Sequence, residues 1–267
     1  MGSDCVNVSE EKLRLAYKQY GEGDPLIILH GLLGASSNWH TLARSVFCRH
    51  YTVYTLDQRN HGRSPHVDHI DYPSMAADLL HFLEDHRIEK CRLIGHSMGG
   101  KTAMEFALEH PEHVARLLVV DIAPKSYPPR HEEILKALRD VDLSKMTSRA
   151  DIDHALASRI PEPPVRRFLL KNLSYDSKTG RYEWELNLAT IQKDYEQLNE
   201  SIENGRQYDG PTLFVRGSNS DYVEDGDDVG IRKLFPNAEF ETIENAGHWV
   251  HADQPENFAE IAKNFLG

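Results

Sequence analysis

Short apolar runs alternate along this chain with longer segments in which apolar residues return every three or four positions. The runs are Leu26–Leu29, Thr52–Leu56, Arg92–Ile94, Leu117–Val120, Thr212–Val215 and Glu239–Ile243, each followed closely by Gly, His or Asp. Most are nearly continuous in aliphatic or β-branched residues, the pattern of a strand covered on both faces in a parallel sheet. Leu13, Leu15 and Tyr17 instead alternate with polar positions and predict a half-exposed strand at the sheet edge. Between the runs, Met75, Leu79, Phe82, Leu83 and His86 share one helix face, as do Phe258, Ile261, Ala262 and Phe265. Thr102–Leu108 predicts a further helix that stops before His110-Pro111, because proline disfavours helical geometry in the residue before it. Strand, helix and strand repeated in this order predict a doubly wound, mostly parallel α/β sheet.

The rhythm breaks between about Ala123 and Gly210. This stretch is rich in Lys, Arg, Glu and Leu, is interrupted at Pro128-Pro129 and Pro161-x-Pro163-Pro164, and predicts helices over Glu132–Leu138 and Ile191–Leu198. An insertion at the carboxyl end of a strand sits over the mouth of an open α/β sheet, where ligands bind. Residues 123–210 are therefore expected to form a helical lid on a core made of residues 1–122 and 211–267.

Composition narrows the function. The 267 residues are 40% hydrophobic, and no run of eighteen or more apolar residues predicts a membrane span. Near the start, Asp4, Glu10 and Glu11 are unlike a secretory signal, and Val6 stands where myristoylation needs Ser or Thr. A formal charge of −12 argues against a nucleic-acid partner. Cys5, Cys48 and Cys91 are odd in number and form no CxxC pair, which points to a reducing, cytoplasmic setting and away from a zinc site. His66-x-x-His69 lies in a polar loop without metal-site context, and no metal or cofactor is expected.

The chemistry centres on Gly95-His96-Ser97-Met98-Gly99, which joins a predicted strand to a predicted helix. A serine there turns sharply enough to hold its hydroxyl above the sheet, with the following N–H aimed at a reacting carbonyl. Such a hydroxyl needs a base to take its proton. His248, in Asn245-Ala246-Gly247-His248-Trp249-Val250-His251 after the last strand, is the candidate base, with His251 second; His96 is read as packing. His30-Gly31-Leu32-Leu33-Gly34 follows the strand Leu26–Leu29, so the N–H groups of Leu32 and Met98 are expected to form an oxyanion hole. The imidazole also needs a carboxylate. Asp121, after Leu117–Val120, and Asp221, after Thr212–Val215, both qualify. Asp57 and Arg59 are read as a loop-organising pair, and Asp253 and Glu256 as residues opening the last helix.

Together HGLLG, DQRNHGRS (57–64), GHSMGGK and AGHWVHADQP resemble the α/β hydrolase superfamily over essentially the whole chain. DQRNHGRS followed by Tyr72-Pro73-Ser74-Met75, GHSMGGK and Val120-Asp121-Ile122-Ala123-Pro124 is similar to one branch. That branch contains small bacterial esterases of acyl esters and acyl-CoA thioesters and the mitochondrial α/β-hydrolase domain-containing protein eleven. Many members of the superfamily carry the acid in a Gly-x-x-Asp turn, where this chain has Gly217-x-x-Ser220 and an Asp one residue late. The branch places its acid after the earlier strand, with a serine at the equivalent of Ser220. The resemblance thus implies Asp121 as the acid and Ser220 as a supporting fourth member. It also implies a serine carboxylesterase or thioesterase acting on a small-molecule acyl ester or thioester through an acyl-enzyme. A non-hydrolytic binding protein and a C–C hydrolase on the same triad are the alternatives. Trp184, Lys125 and Arg130 are candidate substrate contacts, alongside Phe168, Leu169 and Leu170 for an acyl chain and Arg166 and Arg167 for an anionic headgroup such as CoA; the alternatives are the lid's own core for the apolar and aromatic residues, which is preferred for most of them, and a solvated helix face for the basic ones.

Overall fold

A computed structural model describes residues 12–202 and 205–267. Cys5 and the N-terminal features read at Asp4, Val6, Glu10 and Glu11 lie outside the described residues. The main sheet is built from β1 (Tyr17–Tyr20), β2 (Asp24–Leu29), β3 (Tyr51–Leu56), β4 (Cys91–His96), β5 (Val114–Val120), β8 (Thr212–Gly217) and β9 (Ala238–Ile243), with β6 (Leu173–Asp176) and β7 (Arg181–Trp184) forming a separate hairpin. Strand order is β1-β3-β2-β4-β5-β8-β9; β1 runs antiparallel to β3 and every other pair is parallel. This is the expected mostly parallel sheet.

The edge strand differs from the expectation at Leu13–Tyr17, since pairing begins only at Tyr17. The preceding residues are held by other means: Leu15 is buried, Ala16 N–H donates to Ser64 Oγ at 2.8 Å, and Asp57 N–H donates to the Ala16 carbonyl. Of the three alternating residues only Leu15 is buried, while Leu13 is half-buried and Tyr17 is exposed.

Alternation within the central strands divides the core between two faces. Ile27, Leu29, Leu93, Leu117 and Val119 pack on one side with α2 (Tyr72–Asp85) and α3 (Met98–Glu109). Leu26, Ile28, Ile94, Leu118 and Val120 pack on the other with α1 (His40–Ser45) and α11 (Pro255–Leu266). The helix α2 is set by its ends: Asp71 Oδ1 accepts the Ser74 N–H at 2.8 Å and Pro73 occupies the first turn, where its missing N–H costs nothing.

The insertion contains α4 (Glu132–Asp140), α5 (Arg149–Leu156), α6 (Pro163–Leu169), α7 (Leu188–Lys193) and α8 (Tyr195–Asn199), together with the β6–β7 hairpin. It is therefore not wholly helical, and Ile191–Leu198 is two short helices broken at Asp194, whose carboxylate accepts the Ile70 N–H at 3.0 Å. Leu135, Leu138, Ile152, Leu156, Leu169, Ile191 and Tyr195 form a third apolar cluster within this segment. The remaining helices, α9 (Asp227–Leu234) and α10 (Val250–Asp253), flank the last strand.

Candidate active site

Parallel strands bring the loops after their carboxyl ends to one edge. Leu29 of β2 is level with Gly95 of β4, His96 with Val120 of β5, and Val120 with Val215 of β8. The ladder continues one step beyond the strands, with Ser97 N–H donating to the Val120 carbonyl at 3.0 Å and Asp121 N–H to the Val215 carbonyl at 2.8 Å. Ser97 and Asp121 are thus fixed by backbone bonds at the point where each chain turns away.

Both residues turn by adopting the left-handed region, Ser97 at φ 53° and Asp121 at φ 52°. For non-glycine residues this costs of order 1–3 kcal/mol each and persists only where surrounding contacts enforce it. Glycine makes room at the elbow: a Cβ on Gly95 would lie 2.2 Å from the Gly99 carbonyl oxygen, and one on Gly99 would lie 2.5 Å from that of His30. The start of α3 therefore sits directly on the ends of β2 and β4. Met98 opens α3, so its N–H has no intrahelical acceptor, and the positive end of the helix faces the Ser97 hydroxyl.

His248 arrives on the loop between β9 and α10. Its Nε2 lies 2.9 Å from Ser97 Oγ and its Nδ1 lies 2.7 Å from Asp121 Oδ2. With the proton on Nδ1 directed at the carboxylate, Nε2 presents its lone pair to the serine hydroxyl. Asp121 is 1% exposed, but its charge is well partnered. Gly217 N–H donates to Oδ1 at 3.0 Å, and Ser220 Oγ–H donates to Oδ2 in a short bond beside the imidazole. A buried carboxylate is tolerable only when its lone pairs are engaged in this way. Asp221 points elsewhere: its side chain is 68% exposed and pairs with Arg130 at 2.5 Å. The arginine beside Asp221 holds its carboxyl below the usual range.

Several surrounding histidines hold the site without touching Ser97. His96, read as packing, places Nε2 at 2.8 Å from the His248 carbonyl and so clamps the base loop. Burial and the neighbouring imidazoles keep His96 neutral by lowering its pKa well below 6.5. His251 stacks on Trp39 with ring centroids 4.1 Å apart, and burial lowers its pKa to about 3. Across the site, His30 Nε2 accepts the Gln58 N–H at 3.0 Å and His61 Nε2 accepts the Leu33 N–H at 3.2 Å. These bonds fix the turn His30–Gly34, in which Leu33 takes φ 57°. Burial lowers His30 and takes His61 to about 3.

Asp57 and Arg59 organise loops but not with each other. Asp57 accepts the Ser36 N–H at 2.6 Å and the Arg63 N–H at 3.1 Å, while Arg59 pairs with Asp78 at 2.6 Å. Asp253 lies in α10 and accepts the Gly247 N–H at 2.8 Å, steadying the loop that carries His248; Glu256 lies in the first turn of α11.

Two adjoining cavities meet at Ser97. One, of ≈ 410 Å³ open space, is lined by Leu32, Met98, Lys101, Tyr127, Arg130 and Tyr222 among others. The other, of ≈ 700 Å³, is lined by apolar insertion residues including Ile134, Val165, Phe168 and Leu169, with His248 at its wall. Of the expected substrate contacts, Arg130, Phe168 and Leu169 reach these cavities. Trp184, Lys125 and Leu170 do not line them. Trp184 belongs to the insertion's own core and donates Nε1–H to the Leu138 carbonyl at 3.1 Å. Lys125 is held by Asp227 at 2.7 Å and Glu224 at 3.2 Å. Arg166 is spent on Asp153 and the Ile160 and Pro161 carbonyls, whereas Arg167 lines a neighbouring cavity beyond Phe168 and Trp249.

Tyr222 was not singled out from the sequence. It stacks on His248 with centroids 3.8 Å apart and an interplanar angle of 17°, and the Arg130 guanidinium lies 4.8 Å from its ring centroid. Its proximity to Ser220 in the same turn was the available signal. Lys101, one helical turn after Ser97, lines the same cavity.

A family model described as alpha/beta hydrolase fold matches residues 24–255. The chain is 41% identical to a zebrafish (Danio rerio) protein named sn-1-specific diacylglycerol lipase ABHD11, over 99% of this chain and 86% of that protein. It is 34% identical to esterase YbfF of Escherichia coli, over 91% and 92% of the two chains. A solved structure titled marine microorganism esterase superposes with a TM-score of 0.92 at 42% identity, covering 95% of this chain and all of that one.

Proposed function

This chain belongs to the α/β hydrolase family and is a hydrolase of carboxylic esters, and from that premise we propose that it cleaves acyl esters or thioesters through an acyl-enzyme on Ser97. The observation that carries the mechanism is His248 spanning Ser97 Oγ at 2.9 Å and Asp121 Oδ2 at 2.7 Å. In the first half-reaction Ser97 Oγ attacks the acyl carbonyl while His248 Nε2 takes its proton. The N–H groups of Leu32 and Met98 stabilise the oxyanion. The protonated imidazole, oriented and stabilised by Asp121, returns the proton to the leaving alcohol or thiol. Water then attacks the acyl-enzyme by the same route, releasing the acid and restoring Ser97. Ser220 supports Asp121 by hydrogen bonding; its hydroxyl carries no charge to offset the imidazolium, so it does not replace the carboxylate.

Residues 123–210 act as the lid in this scheme, and residues 1–122 and 211–267 as the catalytic core. Phe168 and Leu169 line the apolar side of the acyl site, which fits a lipid-like chain. The zebrafish relative's printed name makes a glycerolipid ester one candidate substrate. Labelling with a fluorophosphonate tests the reading together with hydrolysis of p-nitrophenyl butyrate. Labelling and turnover that both vanish in Ser97→Ala support it. An unlabelled wild-type protein that hydrolyses no ester would be a binding protein on the same scaffold.

A further inference from the structure

Leu32, Ser97, His131 and Tyr222 line both of the cavities that meet at the nucleophile. An ester whose two halves enter the two cavities places its scissile group at this shared wall. Three of the residues there already have a part: Ser97 attacks, Leu32 supplies an N–H to the oxyanion, and Tyr222 stacks on His248. His131, just before α4 in the insertion, has none.

Hydrogen-bond accounting fixes its tautomer. Three nitrogens surround the Tyr195 hydroxyl: the Arg130 N–H donates to it at 3.0 Å, the His131 N–H donates at 2.8 Å, and His131 Nδ1 lies 2.9 Å away. A hydroxyl has one proton to give and two lone pairs. Both lone pairs are taken by backbone N–H groups, so the hydroxyl proton goes to Nδ1, which is the bare nitrogen. A neutral imidazole then carries its own proton on Nε2. Burial, followed by the nearby His248 and Arg130, lowers the His131 pKa to about 4, and the ring is neutral at neutral pH. Among the described residues nothing accepts from Nε2–H. Tying the start of α4 to Tyr195 needs only the two backbone N–H groups, so the ring and its outward donor are not explained by that role.

We propose that His131 Nε2–H is a second donor to the leaving oxygen of the bound ester. The carbonyl oxygen is served by the N–H groups of Leu32 and Met98, which leaves the alkoxy oxygen as the remaining acceptor of the scissile group. That oxygen gains negative charge as its bond to the acyl carbon breaks, and a fixed donor aimed at developing charge is worth most there. His248 delivers the proton that ends on the alcohol; His131 keeps its own and donates a hydrogen bond. The inference rests on the acyl-enzyme reading of Ser97.

The test compares kcat/KM, which reports acylation, for ethyl butyrate, S-ethyl thiobutyrate and p-nitrophenyl butyrate in the wild type, His131→Leu and His131→Gln. The acyl group is constant, so only the leaving atom changes. Sulfur is a weak acceptor, and nitrophenolate spreads its charge over the ring, so neither gains much from the donor. His131→Leu should lower kcat/KM on ethyl butyrate about tenfold, roughly the value of one hydrogen bond to a charged group, and on the other two less than about twofold. His131→Gln, whose amide can bring an N–H into the same space, should recover most of that loss. Equal losses on all three substrates would mark a merely structural role and overturn the proposal, as would an undiminished rate on ethyl butyrate. Long-range 1H–15N spectra of the wild type need no variant to fold: His131 should carry its proton on Nε2 at neutral pH, and a proton on Nδ1 overturns the proposal. Ester turnover that persists in Ser97→Ala sinks the acyl-enzyme reading and this one together, whereas fluorophosphonate labelling of Ser97 with equal losses in His131→Leu sinks this one alone.

Discussion

The neighbouring strands β5 and β8 each hand a carboxylate to the loop beyond, Asp121 directly after β5 and Asp221 four residues after β8. Asp121 is buried, takes φ 52°, and is engaged by Gly217, Ser220 and His248. Asp221 is 68% exposed and meets only the Arg130 guanidinium among the described side chains that pair with it. The β8 turn has thus given up its carboxylate to solvent while keeping a hydroxyl, Ser220, on the same relay. An acid's role follows from where the strand end aims it and how many donors meet it, and not from a motif position alone.

That contrast can be attacked from its strongest consequence downward. Ser97→Ala removes the attacking oxygen on which both strand ends depend and should lower kcat on an acyl ester by on the order of 10⁶. Asp121→Asn keeps the shape but cannot hold the Nδ1–H tautomer of His248 as an anion does, and should cost about 10⁴ in kcat. A comparable loss from Asp221→Asn instead would transfer the acid to the β8 turn. Ser220→Ala removes one hydrogen bond to a charged group that keeps other partners, for an expected loss of about tenfold. Asp221→Asn breaks an exposed ion pair and should change kcat less than about threefold. Steady-state kinetics on purified, folded variants check all four.

A pH titration sharpens the same contrast between buried and exposed groups. His30, His61, His96 and His251 are buried around the site and His131 is partly so, all with lowered pKa values, about 3 for His61 and His251 and about 4 for His131. In the unfolded chain they titrate near 6.5, so between that value and the folded pKa the unfolded state binds more protons. Stability should therefore be undiminished by these groups above about pH 6.5. It should fall as the pH drops below that, by up to about 1.4 kcal/mol per unit for each histidine until its folded pKa is reached. Urea midpoints at pH 7.5 and pH 5 measure it; an unchanged midpoint would mean that these rings accept protons in the folded state.

Much of this is legible in the sequence. Continuous apolar runs gave the parallel strands because both faces of β2, β4 and β5 are covered, and Gly95-x-Ser97-x-Gly99 read correctly as a strand-to-helix turn because only glycine permits that approach. The edge strand was misplaced because Leu15 is buried without pairing. For Trp184 the sequence leaves pocket lining and insertion core both open, because the two carry the same sequence signal; the structure packs it against the insertion's own core. Asp57 and Arg59 were paired by proximity in sequence, whereas their partners, Ser36, Arg63 and Asp78, depend on tertiary structure. Neither the stacking of Tyr222 on His248 nor the bond by which His96, read as packing, holds the His248 carbonyl is legible in the sequence, for the same reason: both are contacts between distant segments.

The most direct test is acid-quenched mass spectrometry of the protein during turnover of p-nitrophenyl butyrate, followed by peptide mapping. The account predicts one butyryl group, carried by the peptide containing Ser97 and absent from Ser97→Ala. Sustained turnover with the acyl group on another residue, or the same turnover in Ser97→Ala, would contradict it.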